Sequence, residues 1–361
     1  MIQNALYWIT EYHIDALRLD AIHEIYDFSA KHILREINDV VESVAQKLGR
    51  RVSIIAESDL NDSRIIRDKK QGGCGLAGQW SDDFHHAIHS YLTGEHQGYY
   101  EDFGRLGDIT KAIKDGFVYD GKYSAFRKRH HGNFVKKLAP EKLVVCIQNH
   151  DQVGNRAFGE RLSELVDFDK QKIAAVLLIL SLHTPLLFMG QEYAEKSPFQ
   201  YFINHKDAGL IQAVRDGRKE EFAAFGFKDI PDPESKKTFL NSKLSWDFKS
   251  KQEQRCLLRL YKDLIALRKS MLSRKRLLGV WHSESEKWLA VEYACGKFHF
   301  GIIVSFSDRG QYVCSPFEDG SFREVLNTAY RAYGGKAKNR ADTHRGEIYV
   351  PPCSAVAGRI G

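Results

Sequence analysis

Residues 14–25 read IDALRLDAIHEI, and this stretch decides the fold. Its first half, residues 16–19, is a short apolar segment that runs directly into an acidic residue, Asp20. Similar short apolar segments occur at residues 52–56, 76–79, 143–147 and 185–189. Longer segments with helical periodicity lie between or after them, at residues 28–48, 84–92 and 170–182. This alternation predicts a repeated strand–helix unit and therefore a parallel sheet.

The chain changes character after about residue 275. A long segment of helical periodicity, residues 252–269, closes the strand–helix region. Beyond it come aromatic, alternating segments, WLAVEY, FHFGIIVSFS and EIYVPP, separated by Gly, Asp and Pro. They predict a small antiparallel β domain over residues 276–361, after a first domain of residues 1–275. Residues 207–244 are polar and are expected to form a long excursion over the top of the first domain.

Composition narrows the class of protein. The chain has 361 residues, of which 43% are hydrophobic and 28% are charged, which suits a soluble globular protein. The longest apolar stretch, residues 173–190, is interrupted by polar residues and a proline, so no transmembrane helix is expected. The start, MIQNALYWITEYHID, resembles an amphipathic helix rather than a signal peptide, which makes the cytoplasm the default compartment.

Charge and cysteine content disfavour two further classes. The formal net charge of +6 is modest, and basic residues alternate with acidic ones, as in RDGRKEEF, so neither nucleic acid nor a membrane is an expected partner. The six cysteines contain no CxxC pair and are interpreted as buried or incidental thiols. No metal site is predicted from them.

Three carboxylates follow apolar segments: Asp20, Glu57 and, in the cluster Asn149-His150-Asp151, Asp151. In a βα barrel, the C-terminal ends of the strands form the active face. Retaining hydrolysis of a glycoside needs an ionised carboxylate as nucleophile and a protonated carboxyl as acid, roughly 5 to 5.5 Å apart. Neighbouring strand ends can provide that separation.

The surroundings of each acid suggest its role. Because side chains alternate along a strand, Arg18 and Asp20 share a side, and the guanidinium favours the ionised nucleophile. Glu57 emerges from the apolar segment VSIIAE, where desolvation favours the protonated acid. Asp151 is expected to bind sugar hydroxyls more strongly as the ring distorts. The structural alternatives are that Asp20 caps a helix and that the other two are ordinary loop acids.

Aromatic and histidine residues near DDFHHAIH offer weaker signals. His85 and His89 are four residues apart on a predicted helix, which raises a metal hypothesis together with His86, although ring stacking or solvated positions are commoner for such residues. Trp80 is the best candidate for a sugar-stacking platform. Core packing is the favoured interpretation for the tyrosines of this region, which are Tyr91, Tyr99 and Tyr100.

Three motifs resemble those of the α-amylase family of glycoside hydrolases (family 13): IDALRLDAIHEI, IIAESDLND and CIQNHDQVGN. They are similar to the segments at the ends of the fourth, fifth and seventh strands of that family's (β/α)8 TIM barrel. The resemblance implies that Asp20 is the nucleophile, Glu57 the acid and base, and Asp151 the stabiliser of the transition state. It also implies that Arg18 and His150 are their neighbours and that His23 contacts the leaving-group sugars.

Longer segments, QWSDDFHHAIHSYLTGE, NHDQVGNRAFGERL and LLFMGQEYAEKSPFQYF, resemble the trehalose-releasing members of that family. This implies hydrolysis of the α-1,4 bond next to the terminal trehalose of maltooligosyl trehalose, without a cofactor, in a pathway with a maltooligosyl trehalose synthase. Trp80 and Asp83 are expected to bind substrate. A branching enzyme or amylase, and an inactive glucan-binding fragment, remain as alternatives.

The resemblance puts Asp20 at the end of the fourth barrel strand. The chain is therefore expected to contain only five of the eight strands, the fourth to the eighth. The family's first motif, an Asn-His segment at the end of strand three, has no counterpart here. A barrel needs all its strands to close, so the chain is expected to be a C-terminal fragment that is inactive when isolated.

Overall fold

The computed structural model describes residues 1–134, 138–223, 229–271, 275–317, 321–337, 343–344 and 346–361. The chain divides into two compact units. The first contains Met1–Cys146 and Ser181–Pro185, and the second contains Ile147–Leu180 and Leu186–Gly361. The predicted domain boundary between residues 275 and 276 stays a prediction.

The first unit is built on a parallel sheet covered by helices. Its strands are β1 (Ala16–Leu19), β2 (Ser53–Ala56), β3 (Gly78–Trp80), β4 (Asp120–Ser124), β5 (Arg129–Gly132), β6 (Leu143–Val145) and β7 (Thr184–Pro185). Its helices are α1 (Ile2–Thr10), α2 (Ile33–Lys47), α3 (Asp82–Thr93) and α4 (Leu106–Asp115). Within the described residues, five strands pair in the order β1-β2-β3-β6-β7, and β4 and β5 form a separate hairpin. The predicted strand–helix alternation is therefore confirmed.

The two faces of the parallel sheet differ in burial. Because side chains alternate along a strand, one face carries Ile54, Ala56 and Leu143, all buried in a core with residues of α1 and α2. The opposite face carries partly exposed side chains, including Arg18 and Trp80. The covered face thus buries mainly aliphatic side chains together with Gln79, and the open face carries Arg18 and Trp80 beside Ile55 and Val144.

Helix α2 shows why the sequence folds this way. Its buried residues Leu34, Ile37 and Val41 recur at helical spacing, so one stripe faces the sheet. At its start, the ring nitrogen Nδ1 of His32 accepts a hydrogen bond from the backbone N–H of Leu34 at 3.2 Å. Burying each of these aliphatic side chains contributes roughly 1.5 to 3 kcal/mol to folding.

The second unit combines helices with two antiparallel sheets. Its helices are α5 (His150–Gly154), α6 (Leu162–Leu165), α7 (Phe168–Ile179), α8 (Ala208–Ala223), α9 (Lys236–Asn241) and α10 (Gln252–Met271). Its strands are β8 (Lys275–Ser283), β9 (Trp288–Cys295), β10 (Phe298–Ser305), β11 (Gln311–Cys314), β12 (Phe322–Asn327), β13 (Thr343–His344), β14 (Glu347–Val350) and β15 (Ser354–Ile360). Sheet β12-β15-β10-β9-β8 and sheet β11-β14-β13 share a buried core that includes Ile303 and Ile348. The predicted antiparallel β domain is therefore confirmed as a sandwich.

The structure adds elements that the sequence patterns did not show. Residues 207–244, to which those patterns assign no secondary structure, contain α8 and α9. Helix α4, strand β8 and the hairpin of β4 and β5 were also missed. No helix in the described ranges combines the length and apolar character needed to cross a bilayer.

The hairpin of β4 and β5 closes against the rest of its unit at a glycine. Gly132 has φ +75°, and a Cβ atom added there would lie 2.0 Å from the carbonyl oxygen of Tyr119 and 3.1 Å from Cβ of Asn61. Gly121, in the same hairpin, also has a positive φ of +109°, but its nearest neighbour would be 4.0 Å away. Backbone conformation and steric room can thus be separated at these two positions.

We predict that Gly132→Ala lowers the free energy of unfolding by about 2 to 4 kcal/mol, because the alanine adds a backbone clash to an unfavourable φ. Gly121→Ala should cost about 1 to 2 kcal/mol, since only the φ is unfavourable. Urea unfolding followed by circular dichroism measures both values. Equal losses in the two variants would show that the close approach of Gly132 to Tyr119 does not matter.

Candidate active site

The C-terminal ends of β1 and β2 place Asp20 and Glu57 on one edge of the parallel sheet. The two strands pair in parallel, with Arg18 opposite Ile55 and Leu19 opposite Ala56. The pairing continues past the strands, because the N–H of Glu57 donates to the carbonyl oxygen of Leu19 at 2.9 Å. The N–H of Ala21 in turn donates to Oε2 of Glu57 at 2.6 Å. The backbone after Asp20 is therefore tied directly to the side chain of Glu57.

Arg18 connects three of the predicted site residues. Its NH1 lies 2.6 Å from Oδ1 of Asp20, and its NH2 lies 3.9 Å from Oε2 of Glu57. Its guanidinium carbon lies 4.3 Å from the ring centroid of Trp80, a cation–π contact. The side chain of Asp20 is 78% exposed and that of Glu57 15% exposed. One carboxylate is thus open to attack a ligand and the other is shielded.

Trp80 and His23 lie in the same unit as these acids. Trp80 ends β3 on the open face of the sheet, with one side of its ring against Arg18. His23 follows Ala21 in a short 3-10 turn, and its Nε2 lies 3.9 Å from Oε1 of Glu24. The Nδ1 atom of His23 is buried and has no hydrogen-bond partner within the described part of the chain.

Asp83 is buried among hydrogen-bond donors. It is only 3% exposed, and its Oδ2 accepts hydrogen bonds from Nδ2 of Asn61 and from the backbone N–H groups of Val118 and Tyr119, at 2.6 to 2.8 Å. Burial raises the pKa of Asp83 to about 6, against the lowering effect of these hydrogen bonds. In this structure Asp83 links Asn61, in the segment after Glu57, to Val118 and Tyr119, which precede β4. Its predicted contact with substrate stays a prediction.

His150 and Asp151 belong to the second unit. Asn149 caps α5, its side-chain oxygen accepting from the N–H of Gln152 at 2.7 Å. This places both residues in the first turn of the helix. Nε2 of His150 lies 3.3 Å from Oδ2 of Asp151, and the two side chains are 48% and 45% exposed. Their predicted roles remain proposals.

The three histidines of α3 are buried among aromatic rings. Nε2 of His85 lies 3.0 Å from the hydroxyl of Tyr100, and Nε2 of His89 lies 2.8 Å from Oε2 of Glu95. The ring of His89 stacks on Tyr100 with centroids 4.6 Å apart. Burial lowers the pKa of His86 to about 3, so it is neutral. Among the described residues, no group of three or more His, Cys, Asp or Glu side chains could hold a metal ion.

Two charged residues near Glu57 were missed by sequence reasoning. Asp59 follows Glu57 by two positions, and NH1 of Arg127, from the loop between β4 and β5, lies 2.9 Å from its Oδ2. The acidic run ESDLND could have drawn attention to Asp59. Nothing in the sequence links it to Arg127, because 68 positions separate the two residues.

We predict that the titration of Asp83 lowers the free energy of unfolding as the pH rises. Its folded pKa of about 6 exceeds the ordinary value of 3.8, so its contribution favours the folded state at low pH and is lost between pH 3.8 and 6. The change amounts to about 3 kcal/mol. In Asp83→Asn, whose amide oxygen still accepts hydrogen bonds, this component of the pH dependence should disappear from urea unfolding curves recorded between pH 4 and 7.

Asp83→Ala is the matched control, because it leaves the N–H groups of Val118 and Tyr119 without their acceptor. It should be destabilised at both ends of the pH range by about 1 to 3 kcal/mol. An Asp83→Asn variant that weakens with pH as steeply as the parent would contradict the assignment.

The sequence of the chain is similar to those of known proteins. The chain is 50% identical over 293 residues to malto-oligosyltrehalose trehalohydrolase of Saccharolobus solfataricus, covering 81% of this chain and 49% of that protein. It is 42% identical over 317 residues to the enzyme of the same name from a Rhizobium species, covering 86% and 52%. No family model matches the chain.

A solved structure shares the fold of the chain. The crystal structure described as a putative alpha amylase from Salmonella typhimurium superposes on the whole chain, and on 59% of its own length, with a TM-score of 0.84 and 32% identity. The predicted fold class, the α-amylase type of barrel with a C-terminal β domain, is therefore confirmed. The chain spans about half the length of the curated relatives it matches. Its similarity to them covers most of its residues, and it belongs to the malto-oligosyltrehalose trehalohydrolase family of α-amylase-type glycosidases.

Proposed function

We propose that this chain carries catalytic residues of a glycosidase that hydrolyses the α-1,4 bond next to the terminal trehalose of maltooligosyl trehalose, releasing trehalose with retention of configuration. The single observation that carries the proposal is Arg18, which contacts the carboxylates of both Asp20 and Glu57 at adjacent strand ends. A retaining glycosidase requires two carboxyl groups roughly 5 to 5.5 Å apart, a separation that neighbouring strand ends can provide.

Asp20 acts as the nucleophile. Arg18 holds its Oδ1, which leaves Oδ2 to attack the anomeric carbon of the sugar. The new bond is a glycosyl ester, and the bond between the anomeric carbon and the glycosidic oxygen breaks. The electron pair of that bond goes to the departing oxygen of trehalose.

Glu57 acts first as acid and then as base. Its Oε2 accepts the N–H of Ala21, so the transferable proton resides on Oε1. That proton neutralises the departing oxygen, and the resulting carboxylate then removes a proton from water. The water oxygen attacks the anomeric carbon and breaks the ester to Asp20, which completes retention.

The roles that we propose for the remaining predicted residues are supported by family resemblance. We assign Asp151 to bind ring hydroxyls as the sugar distorts, with His150 beside it, and we assign His23 and Trp80 to contacts with the sugar. No cofactor is needed, because every proton and electron pair is supplied by these residues and water. We also propose a cytoplasmic protein linked to a synthase that makes maltooligosyl trehalose.

We predict that Asp20→Asn lowers the rate of trehalose release by at least about 10⁴-fold, because the amide cannot form the ester. Glu57→Gln should lower it by about 10² to 10⁴-fold. The control is Asp15→Asn at the opposite end of β1, an 83% exposed carboxylate paired with Arg50, which should stay within about twofold of the parent. The assay measures trehalose released from maltooligosyl trehalose.

The assay uses two hosts: the 361-residue chain alone, and the Saccharolobus solfataricus relative with its matched segment replaced by this chain. Each is also given a plain maltooligosaccharide of equal length. Preferential release of trehalose in either host supports the proposal. Cleavage of the plain maltooligosaccharide at an equal or higher rate would favour an amylase or branching enzyme. A folded replacement host that binds the glucan but hydrolyses neither substrate would favour a glucan-binding protein.

A further inference from the structure

The loop between β4 and β5 delivers a cationic side chain to the segment that carries Glu57. NH1 of Arg127 contacts Oδ2 of Asp59 at 2.9 Å, and Nε2 of His131 lies 2.7 Å from the backbone oxygen of Asp59. Asp59 follows Glu57 by two residues. The hairpin therefore contacts the site through two separate polar interactions, both of them on Asp59.

The loop that holds Arg127 is built around a second carboxylate. Asp102 accepts hydrogen bonds from the hydroxyl of Ser124, from the N–H of Ala125 at 2.9 Å and from the hydroxyl of Tyr119 at 2.7 Å. The hydroxyl of Ser124 in turn accepts the N–H of Arg127 at 3.0 Å. These hydrogen bonds fix the backbone of Arg127 independently of the contact between its side chain and Asp59.

The ion pair is partly open to solvent. The side chain of Asp59 is 37% exposed and that of Arg127 is 16% exposed. A carboxylate can accept several hydrogen bonds at once, so its pairing with Arg127 leaves Asp59 able to accept further ones. The exposed part of this pair can therefore meet the hydroxyl groups of a ligand.

The cations around Asp59 favour its ionised form. Burial alone would raise the pKa of Asp59, but the positive charge and hydrogen bond of Arg127, together with His23 and His131, hold it below its ordinary value. Asp59 is therefore an anion with one cation already bound.

We propose that Asp59 and Arg127 bind hydroxyl groups of the leaving trehalose and thereby determine the preference for a trehalose-ended substrate over a maltose-ended one. The inference rests on the proposed function. If Glu57 is the general acid that protonates the glycosidic oxygen, then residues close to Glu57, such as Asp59, border the leaving sugar. A carboxylate accepts two sugar hydroxyls, and a guanidinium donates to adjacent hydroxyl oxygens. The 1,1 linkage of trehalose orients its second ring differently from a 1,4 linkage, so fixed partners can distinguish the two.

The test compares Asp59→Asn, Arg127→Met and Arg127→Lys with Arg129→Met, an exposed arginine of the same hairpin. In the 361-residue chain and in the replacement host, kcat/KM is measured for maltooligosyl trehalose and for a maltooligosaccharide of equal length. Asp59→Asn and Arg127→Met should lose about 10 to 100-fold for the first substrate, mainly through KM, and less than about threefold for the second. Arg127→Lys should be intermediate, and Arg129→Met unchanged.

Equal losses of kcat/KM for both substrates would overturn the inference in favour of a structural role. Variants with no loss of kcat/KM for either substrate would also overturn it. If the parent releases no trehalose in either host, the proposed function fails. The inference is then tested by measuring the binding of disaccharides. Saturation-transfer NMR of the 361-residue chain with trehalose and with maltose should show a preference for trehalose that Asp59→Asn abolishes. Equal binding of the two disaccharides by the parent chain would overturn it.

Discussion

The parallel register between β1 and β2 is the constraint on which the whole site depends. It pairs Arg18 with Ile55, so Asp20 and Glu57 leave the sheet at the same edge and on the same face. Because side chains alternate, a slip of one residue would turn Arg18 toward the helix-covered face. The aliphatic residues Ile54 and Ala56, which fill the core beneath α1 and α2, prevent that slip. Packing on one face of the sheet therefore fixes the chemistry of the other.

The parts of the structure that sequence could predict are those set by local pattern. Residues 16–19 alternate and end in an acid, and the structure has β1 there with the predicted bounds. The contact of Arg18 with Asp20 also follows from alternation along one strand, since the two residues are two positions apart. The segments predicted at residues 52–56, 76–79 and 143–147 overlap β2, β3 and β6 for the same reason, whereas the one predicted at residues 185–189 shares only Pro185 with β7. The roles of the acids needed family resemblance as well.

What sequence could not show depends on contacts between distant segments. Asp83 looks like a surface acid at the start of a helix, yet its carboxylate is buried against backbone N–H groups 35 and 36 positions away. The pair of Arg127 and Asp59 requires a hairpin whose strands have no marked apolar alternation. Helix α8 was missed because its stripe of buried residues is short: Arg218 and Phe222 are the buried positions described there. Local composition holds no information about such partners.

The backbone of Ala21 is strained where it links the two acids. Its φ of +42° lies in the left-handed region, which a residue with a Cβ adopts at about 1 kcal/mol or more, and in this conformation its N–H reaches Glu57. A glycine would relieve the strain but would also free the turn to move. Selection for thermal stability and selection for turnover therefore act in opposite directions on this position. A glycine at this position would thus exchange a firmly held hydrogen bond to Glu57 for a less strained backbone.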